Sequence, residues 1–453
     1  MYRNALKDLN AWFDSPRRKP MILRGARQVG KSTLVRLFAK EHNLKLYELN
    51  LEKYLSLDKV FKTMNLESIL LEIEGICGSI SSDENALLFL DEIQSTPYAL
   101  QALRYFYEEK PELAVIAAGS LLEFTLSDHS FSMPVGRITY YHLGPMSFDE
   151  FLLHQDEELH GFYKEHEPGD LMADSRHQAL LKYQRDYLYC GGMPEAVLAF
   201  QEDPYTVSDV HRSLIDTYQD DFAKYARKSD LIRLQQILNR IPLQVGKKIK
   251  YVHLSPDDKA AEVRRVLDLL SKAKLCSLVY HSDCSGIPLR AGRNERVFKI
   301  LFLDIGLMNH LTGLNWDILR KMDERTLINE GSIAEQFIGQ ELLLYYHHEL
   351  HYWLREGKSN NAEVDYVIPH EGKLIPIEVK AGKSGTLKSL HQFMSHKGEN
   401  RAIRFDMNKP SFQMLEVQVQ NKSQYRETLT FSLQSLPLYF AGRLSSIINQ
   451  WIK

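Results

Sequence analysis

A glycine-rich segment near the amino terminus constrains the fold of this chain more than any other feature. Every fixed position of the phosphate-loop pattern G-x-x-x-x-G-K-[ST] is filled in the run Gly25, Ala26, Arg27, Gln28, Val29, Gly30, Lys31, Ser32 and Thr33. Apolar residues before this run predict a strand, and apolar positions recur at helical spacing after it. In such an arrangement backbone amides and a helix amino terminus face phosphate groups. We therefore expect a polyphosphate site in which Lys31 reaches the β- and γ-phosphates and the Ser32 hydroxyl binds Mg²⁺.

An acidic pair supports this site. Residues 86–90 form a continuous apolar run, which is typical of a strand buried on both faces, and Asp91 and Glu92 follow directly. At the carboxyl end of a central parallel strand, Asp91 is expected to hold Mg²⁺ and Glu92 to polarise the attacking water. An acidic pair after an apolar strand is common by itself, but its position about 60 residues after Lys31 favours the functional interpretation.

Three further strands are predicted at residues 45–51, 113–118 and 138–143. Because these strands alternate with helical stretches, the pattern predicts an α/β fold with a parallel, doubly wound sheet. Ser120 then follows the carboxyl end of a strand. In that position it is either a sensor of the γ-phosphate or a simple turn residue.

Four segments carry a resemblance to a known family. In chain order they are GARQVGKST, LFLDEIQ, AAGSLLE and GRITYYHLGPMSFDEF. They resemble the AAA+-type ATPases of prokaryotic ATP-binding protein families, in which an ATPase is fused to a C-terminal domain of uncharacterised function. The resemblance implies hydrolysis of ATP with Mg²⁺ and a sensor role for Ser120. It also implies a finger or sensor role for Arg137, either within its own chain or on a neighbouring subunit.

Residues 191–195, with the sequence GGMPE, resemble a GG-x-P-E motif of the same proteins. The motif is shared with ATPases related to signalling (STAND) NTPases. Residues 177–230 are predicted to be helical, with a tight turn at the two glycines before a helix that begins at Pro194. This resemblance favours an alternative function, a regulatory ATPase whose C-terminal domain is a catalytically inert module for protein interaction.

The middle of the chain has an excess of basic residues. Residues 231–300 contain 14 Lys and Arg against 6 Asp and Glu, a net charge of +8, whereas the whole chain carries −3. Two predicted helices, residues 231–241 and 259–273, precede a predicted hairpin of residues 275–281 with 296–302. Helices followed by such a hairpin resemble a winged helix, and a basic face favours contact with double-stranded DNA. The alternatives are a protein contact or a solvated face of a connector between domains.

The C-terminal part contains a second acidic group. Residues 363–369 and 374–380 are predicted strands joined by a two-residue Glu-Gly turn. This register places Asp365 opposite Glu378, together with Lys380, on one side of the hairpin and an apolar stripe on the other side. The carboxylates are therefore expected on the face turned away from the apolar stripe.

This arrangement matches the PD-(D/E)xK nuclease pattern. The resemblance implies an α/β restriction-endonuclease-like domain in which Asp365, Glu378 and an upstream acid bind Mg²⁺. Glu335, in a helix predicted at residues 332–345, is the candidate for that acid, and Lys380 would stabilise charge or orient the nucleophile. Two alternatives remain open. One is an inert salt-bridge cluster on a solvated face, and the other is a nuclease-like fold that has lost activity or only binds DNA.

Length and composition set the remaining expectations. The 453 residues suggest about three domains. We predict residues 1–160 as the ATPase domain, 177–310 as a helical and winged-helix region, 325–410 as the nuclease-like domain and 411–453 as an extension. The four cysteines form no CxxC pair, the first residues lack the apolar run of a signal peptide, and no apolar run approaches the roughly 20 residues that span a bilayer. We therefore expect a soluble cytoplasmic protein that binds ATP. Its further partner is expected to be double-stranded DNA, another protein or further copies of itself, and no membrane partner is expected.

Overall fold

The computed structural model describes residues 1–80, 83, 85–120, 122, 136–225, 228–321, 331–346, 349–355, 361–380, 387–420 and 426–452. The chain divides into two compact units. The first unit consists of Met1–Pro145, Asp216–Leu231 and Asp268–Leu275, and the second consists of Met146–Ile215, Ile232–Leu267 and Cys276–Lys453. No described helix is both long enough and apolar enough to cross a bilayer.

The described helices and strands are as follows. The helices are α1 (Ala5–Phe13), α2 (Lys31–Glu41), α3 (Leu57–Phe61), α4 (Leu66–Cys77), α5 (Pro97–Glu109), α6 (Phe148–Gln155), α7 (Glu157–Glu165), α8 (Asp174–Cys190), α9 (Pro194–Glu202), α10 (Val207–Tyr225), α11 (Lys228–Arg240), α12 (Tyr251–Leu254), α13 (Ala260–Lys272), α14 (Ile305–Leu311), α15 (Trp316–Lys321), α16 (Gly331–Tyr346), α17 (Lys388–Lys397) and α18 (Leu444–Ile452). The strands are β1 (Met21–Arg24), β2 (Lys45–Asn50), β3 (Ala86–Asp91), β4 (Ala114–Ala118), β5 (Thr139–His142), β6 (Cys276–Ser282), β7 (Arg293–Phe302), β8 (His351–Arg355), β9 (Ala362–His370), β10 (Lys373–Val379), β11 (Arg401–Asp406), β12 (Ser411–Gln420) and β13 (Arg426–Pro437). Short 3-10 helices span Ile93–Ser95, Pro204–Thr206, Ile241–Gln244, Leu289–Gly292 and Leu438–Arg443.

The first unit is built on a five-stranded sheet with the order β2-β3-β4-β1-β5, in which every neighbouring pair is parallel. Strand β3 is buried along its whole length, and its side chains pack with those of β1 and β4 in the core. The predicted parallel sheet of an α/β fold is confirmed. Because all five strands run in the same direction, the segments that follow β1, β3 and β4 lie at one edge of the sheet, and the segments that precede the strands lie at the other edge.

The second unit contains an eight-stranded mixed sheet with the order β12-β13-β11-β10-β9-β8-β6-β7. β9 and β10 are antiparallel, and the pairing of Ile377 with Tyr366 is the predicted register. The two residues of their turn, Glu371 and Gly372, have positive φ angles of 45° and 80°. Positive φ angles at both central residues are typical of the tight turns whose twist matches that of a hairpin.

The basic hairpin belongs to this same sheet. β6 is antiparallel to β7, as predicted, but it also pairs in parallel with β8, where Tyr280 lies beside His351. A hairpin that is hydrogen-bonded into an eight-stranded sheet is not the free wing of a winged helix, so the structure does not support that prediction. The four domain limits stay predictions, although one sheet contains strands from both the 177–310 and the 325–410 region.

Both faces of the β9–β10 hairpin are buried, whereas the alternative of an inert salt-bridge cluster placed the carboxylates on a solvated face. Asp365 is 9% exposed and Glu378 is 4% exposed. α17 contacts β9 and packs on the side of Val364, while α16 contacts β7 and β10. The alternating pattern fails within β9, where an irregularity in the register puts Val367 with Val364 in the cluster against α17. The Tyr366 hydroxyl, in contrast, donates to the Glu335 carbonyl oxygen on α16. The pattern also does not show that a helix covers the polar side.

Candidate nucleotide site and acidic cluster

The phosphate loop lies between β1 and α2 in the first unit. Gly30, directly before α2, has a left-handed conformation (φ 92°), and the helix begins at Lys31 as predicted. The Lys31 side chain is buried, and its Nζ donates hydrogen bonds to the carbonyl oxygens of Gly25 (3.1 Å) and Ala26 (2.9 Å). These two acceptors are neutral, and a phosphate oxygen would form a stronger bond with the ammonium than either of them because that oxygen carries charge.

Ser32 and Asp91 meet at the edge of the sheet where the strands end. The Ser32 hydroxyl donates a hydrogen bond to Asp91 Oδ2 (2.8 Å), and Asp91 Oδ1 accepts one from the backbone amide of Glu92 (3.0 Å). Hydroxyl and carboxylate oxygens are the hard ligands that Mg²⁺ prefers, and such sites take most of their remaining ligands from water and substrate phosphates. The residues at this site therefore fit the magnesium ion that the sequence predicts.

Glu92 is oriented by a residue that sequence reasoning missed. It has a left-handed conformation (φ 52°), which non-glycine residues seldom adopt, and its carboxylate accepts a hydrogen bond from Gln94 Nε2. Gln94 is buried, and its Oε1 has no hydrogen-bond partner within the part of the chain that the structure describes. A Cβ on Gly119 would overlap this amide group. Gly119, the residue after β4, therefore leaves room for the Gln94 side chain. Its neighbour Ser120 is also buried.

Three side chains from distant parts of the first unit contact the loop. Arg3 donates a hydrogen bond to the carbonyl oxygen of Val29 (2.8 Å), and Tyr218 donates one to that of Arg27 (3.0 Å). The Arg27 guanidinium donates to both carboxylate oxygens of Asp221 (2.7 and 2.8 Å). Because the first two contacts engage carbonyl groups of the loop, they favour an orientation in which its amide groups face an anion.

Arg137 lies apart from this group. Its Nε donates a hydrogen bond to Glu108 Oε1 (2.8 Å), and the Arg137 side chain is 44% exposed. Glu108 lies at the end of α5, before β4 begins, and Arg137 lies before β5. Both residues therefore belong to the edge of the sheet where strands begin, whereas the phosphate loop and Asp91 lie at the opposite edge. A role of Arg137 on the nucleotide of its own chain does not fit this geometry, and action on a neighbouring subunit stays a prediction.

Comparison with known families identifies the N-terminal region. Residues 17–152 match a family described as an AAA domain. Residues 17–152 are therefore an AAA domain. The predicted P-loop fold of the AAA type is thus confirmed for this region. Residues 181–317 match a domain of unknown function, DUF8612, and residues 330–426 match another, DUF4143.

Among solved structures, the chain is similar to the Orc1 protein of Aeropyrum pernix, whose structure was determined in complex with DNA. The two sequences are 13% identical, the TM-score is 0.26, and the match covers 69% of this chain and 93% of that chain. A search of curated proteins finds no match.

The GGMPE motif has a packing role in the second unit. A Cβ on Gly191 would overlap the carboxylate of Asp304, and a Cβ on Gly192 would overlap the backbone of Met146. The Gly192 amide donates a hydrogen bond to Asp304 Oδ2 (2.7 Å), and α9 begins at Pro194 as predicted. Burial raises the pKa of Asp304 to about 6, although three backbone amides that donate to it act in the opposite direction. The two glycines of the motif are therefore explained by close packing around Asp304.

Part of the basic excess of residues 231–300 is paired within the second unit. Its ion pairs include Arg233 with Asp258 (2.6 Å), Arg264 with Glu295 (3.1 Å) and Arg293 with Glu349. Lys247, Lys248 and Lys250 are exposed and lie close together in the sequence. The basic surface of this segment is therefore smaller than its net charge of +8 suggests.

The second unit contains an acidic cluster around the buried Lys299, a residue that sequence reasoning missed, and the side chain of one of its acids, Glu363, is 34% exposed. Lys299 lies on β7 and is 2% exposed. Its Nζ contacts Glu335 Oε2 on α16 (2.8 Å), Glu363 Oε1 on β9 (2.5 Å) and Asp365 Oδ1 on β9 (3.1 Å). The structure thus brings the predicted residues Glu335 and Asp365 together, but around an ammonium group.

Glu378 and Lys380 complete this cluster. Lys380 Nζ pairs with Glu378 Oε1, whereas Glu378 Oε2 has no hydrogen-bond partner among the described residues. The Val379 amide donates to Asp365 Oδ2 (2.8 Å), which holds the two strands together where their acidic residues face each other. Burial raises the pKa of Glu378 to about 7, and the negative charge of Asp365 acts in the same direction.

The charges of the cluster do not balance. Among the described residues, four carboxylates, those of Glu335, Glu363, Asp365 and Glu378, face two ammonium groups, so these groups carry −2 when all are ionised. Burial raises the pKa of Glu335 to about 8 even though Lys299 acts in the opposite direction. Burial alone would lower the pKa of Lys299, but the attraction of the surrounding carboxylates raises it well above its ordinary value. Lys299 therefore stays charged, and the excess negative charge favours proton uptake by the acids.

The magnesium site predicted at Glu335, Asp365 and Glu378 does not fit this arrangement. Mg²⁺ requires oxygen ligands at about 2.1 Å in near-octahedral geometry. Across the residues that the structure describes, no group of three or more His, Cys, Asp or Glu side chains is placed to hold a metal ion. The physical reason is Lys299, because its ammonium contacts the oxygens of Glu335 and Asp365 that would otherwise face a metal.

Proposed function

We propose that this chain hydrolyses ATP with Mg²⁺ at the phosphate loop of its AAA domain. The observation that supports this most directly is the contact between Ser32 and Asp91, close to a buried Lys31 that donates to neutral carbonyl oxygens of the loop. When bound, Mg²⁺ would neutralise negative charge on the β- and γ-phosphate oxygens. Ser32 and Asp91 would hold it, and Lys31 would exchange its carbonyl partners for phosphate oxygens.

Three further residues would act on the γ-phosphate side of the site. Glu92 would orient the attacking water and accept its proton. Gln94 would act as a positioning residue, because its amide donates to the Glu92 carboxylate and restricts where that carboxylate points. Ser120, buried directly after β4, would sense the γ-phosphate.

The test is ATP hydrolysis by the Lys31→Ala variant. We expect a loss of at least about 100-fold in turnover, because a charged donor to the transferred phosphate is removed. Lys40→Ala is the matched control, since Lys40 lies on the same helix, α2, and is exposed. Equal activity of the Lys31→Ala variant and the control would refute the proposed site.

A homo-oligomer is proposed as the active form, with Arg137 acting on the ATP of a neighbouring subunit. Its support is geometric, because Arg137 is exposed and lies at the sheet edge opposite its own phosphate loop. Mixing Arg137→Ala chains with Lys31→Ala chains tests this. Activity restored by mixing two inactive variants supports action between subunits, whereas no gain on mixing contradicts it.

We further propose that double-stranded DNA regulates this ATPase through the second unit. The support is the exposed basic group of Lys247, Lys248 and Lys250 and the nuclease-like arrangement of the β9–β10 hairpin. Phosphate contacts of this kind weaken steeply with salt. We therefore expect DNA to stimulate ATP hydrolysis at low salt and to lose this effect as salt is added.

Replacing the three lysines by alanine tests the DNA interaction. We expect weaker DNA binding and a salt slope that is less steep by about 1 for each lysine that no longer neutralises a phosphate. The matched control is a triple alanine variant at Lys53, Lys59 and Lys62, which are exposed lysines of the first unit. Equal DNA affinity in both variants would contradict the proposed surface.

A second candidate function is a regulatory ATPase whose second unit docks a protein partner and is catalytically inert. The ion pairing of Lys299 with three acids favours it, because the nuclease-like residues are then occupied with one another. This candidate predicts an ATPase rate that does not respond to DNA at any salt concentration. The same stimulation assay therefore separates the two candidates.

A further inference from the structure

The buried lysine of the acidic cluster forms ion pairs with three carboxylates, and two of them accept hydrogen bonds from it. An ammonium group has three N–H donors. Lys299 Nζ has three carboxylate partners, on Glu335, Glu363 and Asp365, at 2.8, 2.5 and 3.1 Å. Two of these partners, Glu335 and Asp365, are acids that the nuclease resemblance assigns to a metal ion. The ammonium and such a metal ion would need the same oxygens.

A metal ion cannot simply be added beside this ammonium. Oxygens that coordinate Mg²⁺ lie about 2.1 Å from the ion, whereas charged hydrogen bonds to nitrogen are longer, at about 2.7–2.9 Å. Two like charges that share ligands in a buried site also repel each other strongly. The positive charge already at the centre of the cluster therefore opposes the entry of a second cation.

We propose that the Lys299 ammonium is the resident cation of this cluster and occupies the position that a divalent metal ion would take. The intact cluster then binds no Mg²⁺ or Mn²⁺ through Asp365 and cleaves no phosphodiester bond. Lys299 comes from the region that matches DUF8612, and the four acids come from the region that matches DUF4143. The cation is thus supplied by a part of the chain outside the nuclease-like motif itself.

Removing the ammonium should convert the cluster into a metal site. Without Lys299 the four acids and Lys380 would carry −3 instead of −2, and Glu378 Oε2, which accepts no hydrogen bond from the residues that the structure describes, is already buried. Buried carboxylates without a counter-ion attract either protons or a metal ion. The side chains of Glu363, Asp365 and Glu378 would then have to turn toward the vacated position to hold a divalent cation, because in their present places no three acids among the described residues are placed to hold one.

The experiment measures Mn²⁺ binding by calorimetry on the full chain, with Asp91→Asn in every variant to remove the metal ligand of the AAA domain. The chain with native Lys299 should bind no Mn²⁺ that depends on Asp365. Lys299→Met should bind one Mn²⁺ at least about tenfold more tightly than any residual Mn²⁺ binding of the chain with native Lys299. The further change Asp365→Asn should abolish that binding. Binding by the chain with native Lys299 that is abolished in Asp365→Asn would overturn the proposal, as would Asp365-dependent nicking of plasmid DNA by the intact chain.

A second variant covers the case in which Lys299→Met does not fold. The double variant Lys299→Met with Glu335→Gln removes one positive and one negative charge, so the cluster keeps its native net charge. It should bind Mn²⁺ through Asp365 and Glu378, and a folded double variant that binds no Mn²⁺ would overturn the proposal. This inference does not rest on the proposed ATP hydrolysis. A failed Mn²⁺ experiment would leave the ATPase proposal in place, and a failed ATPase test would leave this inference in place.

Discussion

The phosphate loop and the acidic cluster each contain a buried lysine, but the oxygens that contact the two lysines differ in charge. Lys31 donates to neutral carbonyl oxygens of Gly25 and Ala26, whereas Lys299 contacts three carboxylates. Because a charged oxygen binds an ammonium more strongly than a neutral one, phosphate oxygens can replace the loop carbonyl oxygens as hydrogen-bond acceptors of Lys31. The same exchange at Lys299 would leave buried carboxylates without their cation. The partners of a lysine, more than its position in a motif, thus distinguish a ligand site from an internal ion cluster.

The largest expected effect concerns the phosphate-loop site, which we propose to bind ATP. Glu92→Gln should lower ATP turnover by about 10²–10⁴-fold, because the side chain can no longer accept a proton from the attacking water. ATP binding should change little, since Lys31, Ser32 and Asp91 are retained. Steady-state hydrolysis and equilibrium binding of an ATP analogue measure the two quantities separately.

The control for this variant is Glu109→Gln, which alters an exposed carboxylate at the end of α5. It should leave both quantities unchanged. If Glu92→Gln weakened ATP binding and turnover to the same extent, Glu92 would be a structural residue of the loop region, and its assignment as the base would be wrong.

The next largest effect concerns the stability of the acidic cluster. Lys299→Met should lower the free energy of unfolding by about 3–5 kcal/mol near neutral pH, because it leaves buried carboxylates without their counter-ion. Urea denaturation followed by tryptophan fluorescence measures this. Lys373→Met is the matched control, since Lys373 is an exposed lysine of the same sheet and should cost little. If Lys299→Met lowered the free energy of unfolding as little as Lys373→Met does, the surroundings of Lys299 would differ less from those of Lys31 than we infer.

A smaller effect is expected from pH. Burial raises the pKa of Glu378 from its ordinary value of 4.5 to about 7, so between these values the folded chain keeps a proton that the unfolded chain releases. Since the folded state then binds more protons, the free energy of unfolding should fall as pH rises through this window, by about 1–3 kcal/mol. Glu335, with its pKa raised to about 8, should extend the decline to higher pH.

Glu378→Gln tests this pH dependence, because glutamine does not titrate. Its stability should decline less between about pH 5 and pH 8 than that of the native chain. The control Glu371→Gln changes an exposed residue of the β9–β10 turn and should leave the decline as it is. An unchanged decline in Glu378→Gln would mean that the cluster is neutralised in some way other than proton uptake at this residue.

The first site could be predicted in large part from sequence because its residues lie at the ends of apolar strands. The loop follows β1, Asp91 ends β3, and Ser120 follows β4, so parallel strand pairing alone brings them to one edge. Gln94 was missed because a glutamine two residues after the acidic pair has no distinguishing pattern. Arg3 and Tyr218 were missed because they reach the loop from 26 and 191 residues away.

The second site shows where such reasoning fails. The register of the β9–β10 hairpin follows from a local turn, and it was predicted correctly as far as the pair of Ile377 with Tyr366. Lys299 lies 36 residues before Glu335 and 66 residues before Asp365, and it reaches them only because β6 pairs with β8 in one sheet. A hairpin pattern does not specify which sheet it joins, so neither this lysine nor the burial of the polar face was predictable.

The smallest expected effect returns to the phosphate loop. Tyr218→Phe removes the hydrogen bond from the tyrosine hydroxyl to the carbonyl oxygen of Arg27 and leaves the ring in place. A single neutral hydrogen bond is worth about 0.5–1.5 kcal/mol, so we expect ATP affinity to fall by a few-fold at most, with turnover at saturating ATP unchanged. The control Tyr54→Phe removes an exposed hydroxyl of the same unit. If Tyr218→Phe lowered turnover and left affinity unchanged, the contact would serve the chemical step, and the loop would not need this bond to present its amides to phosphate.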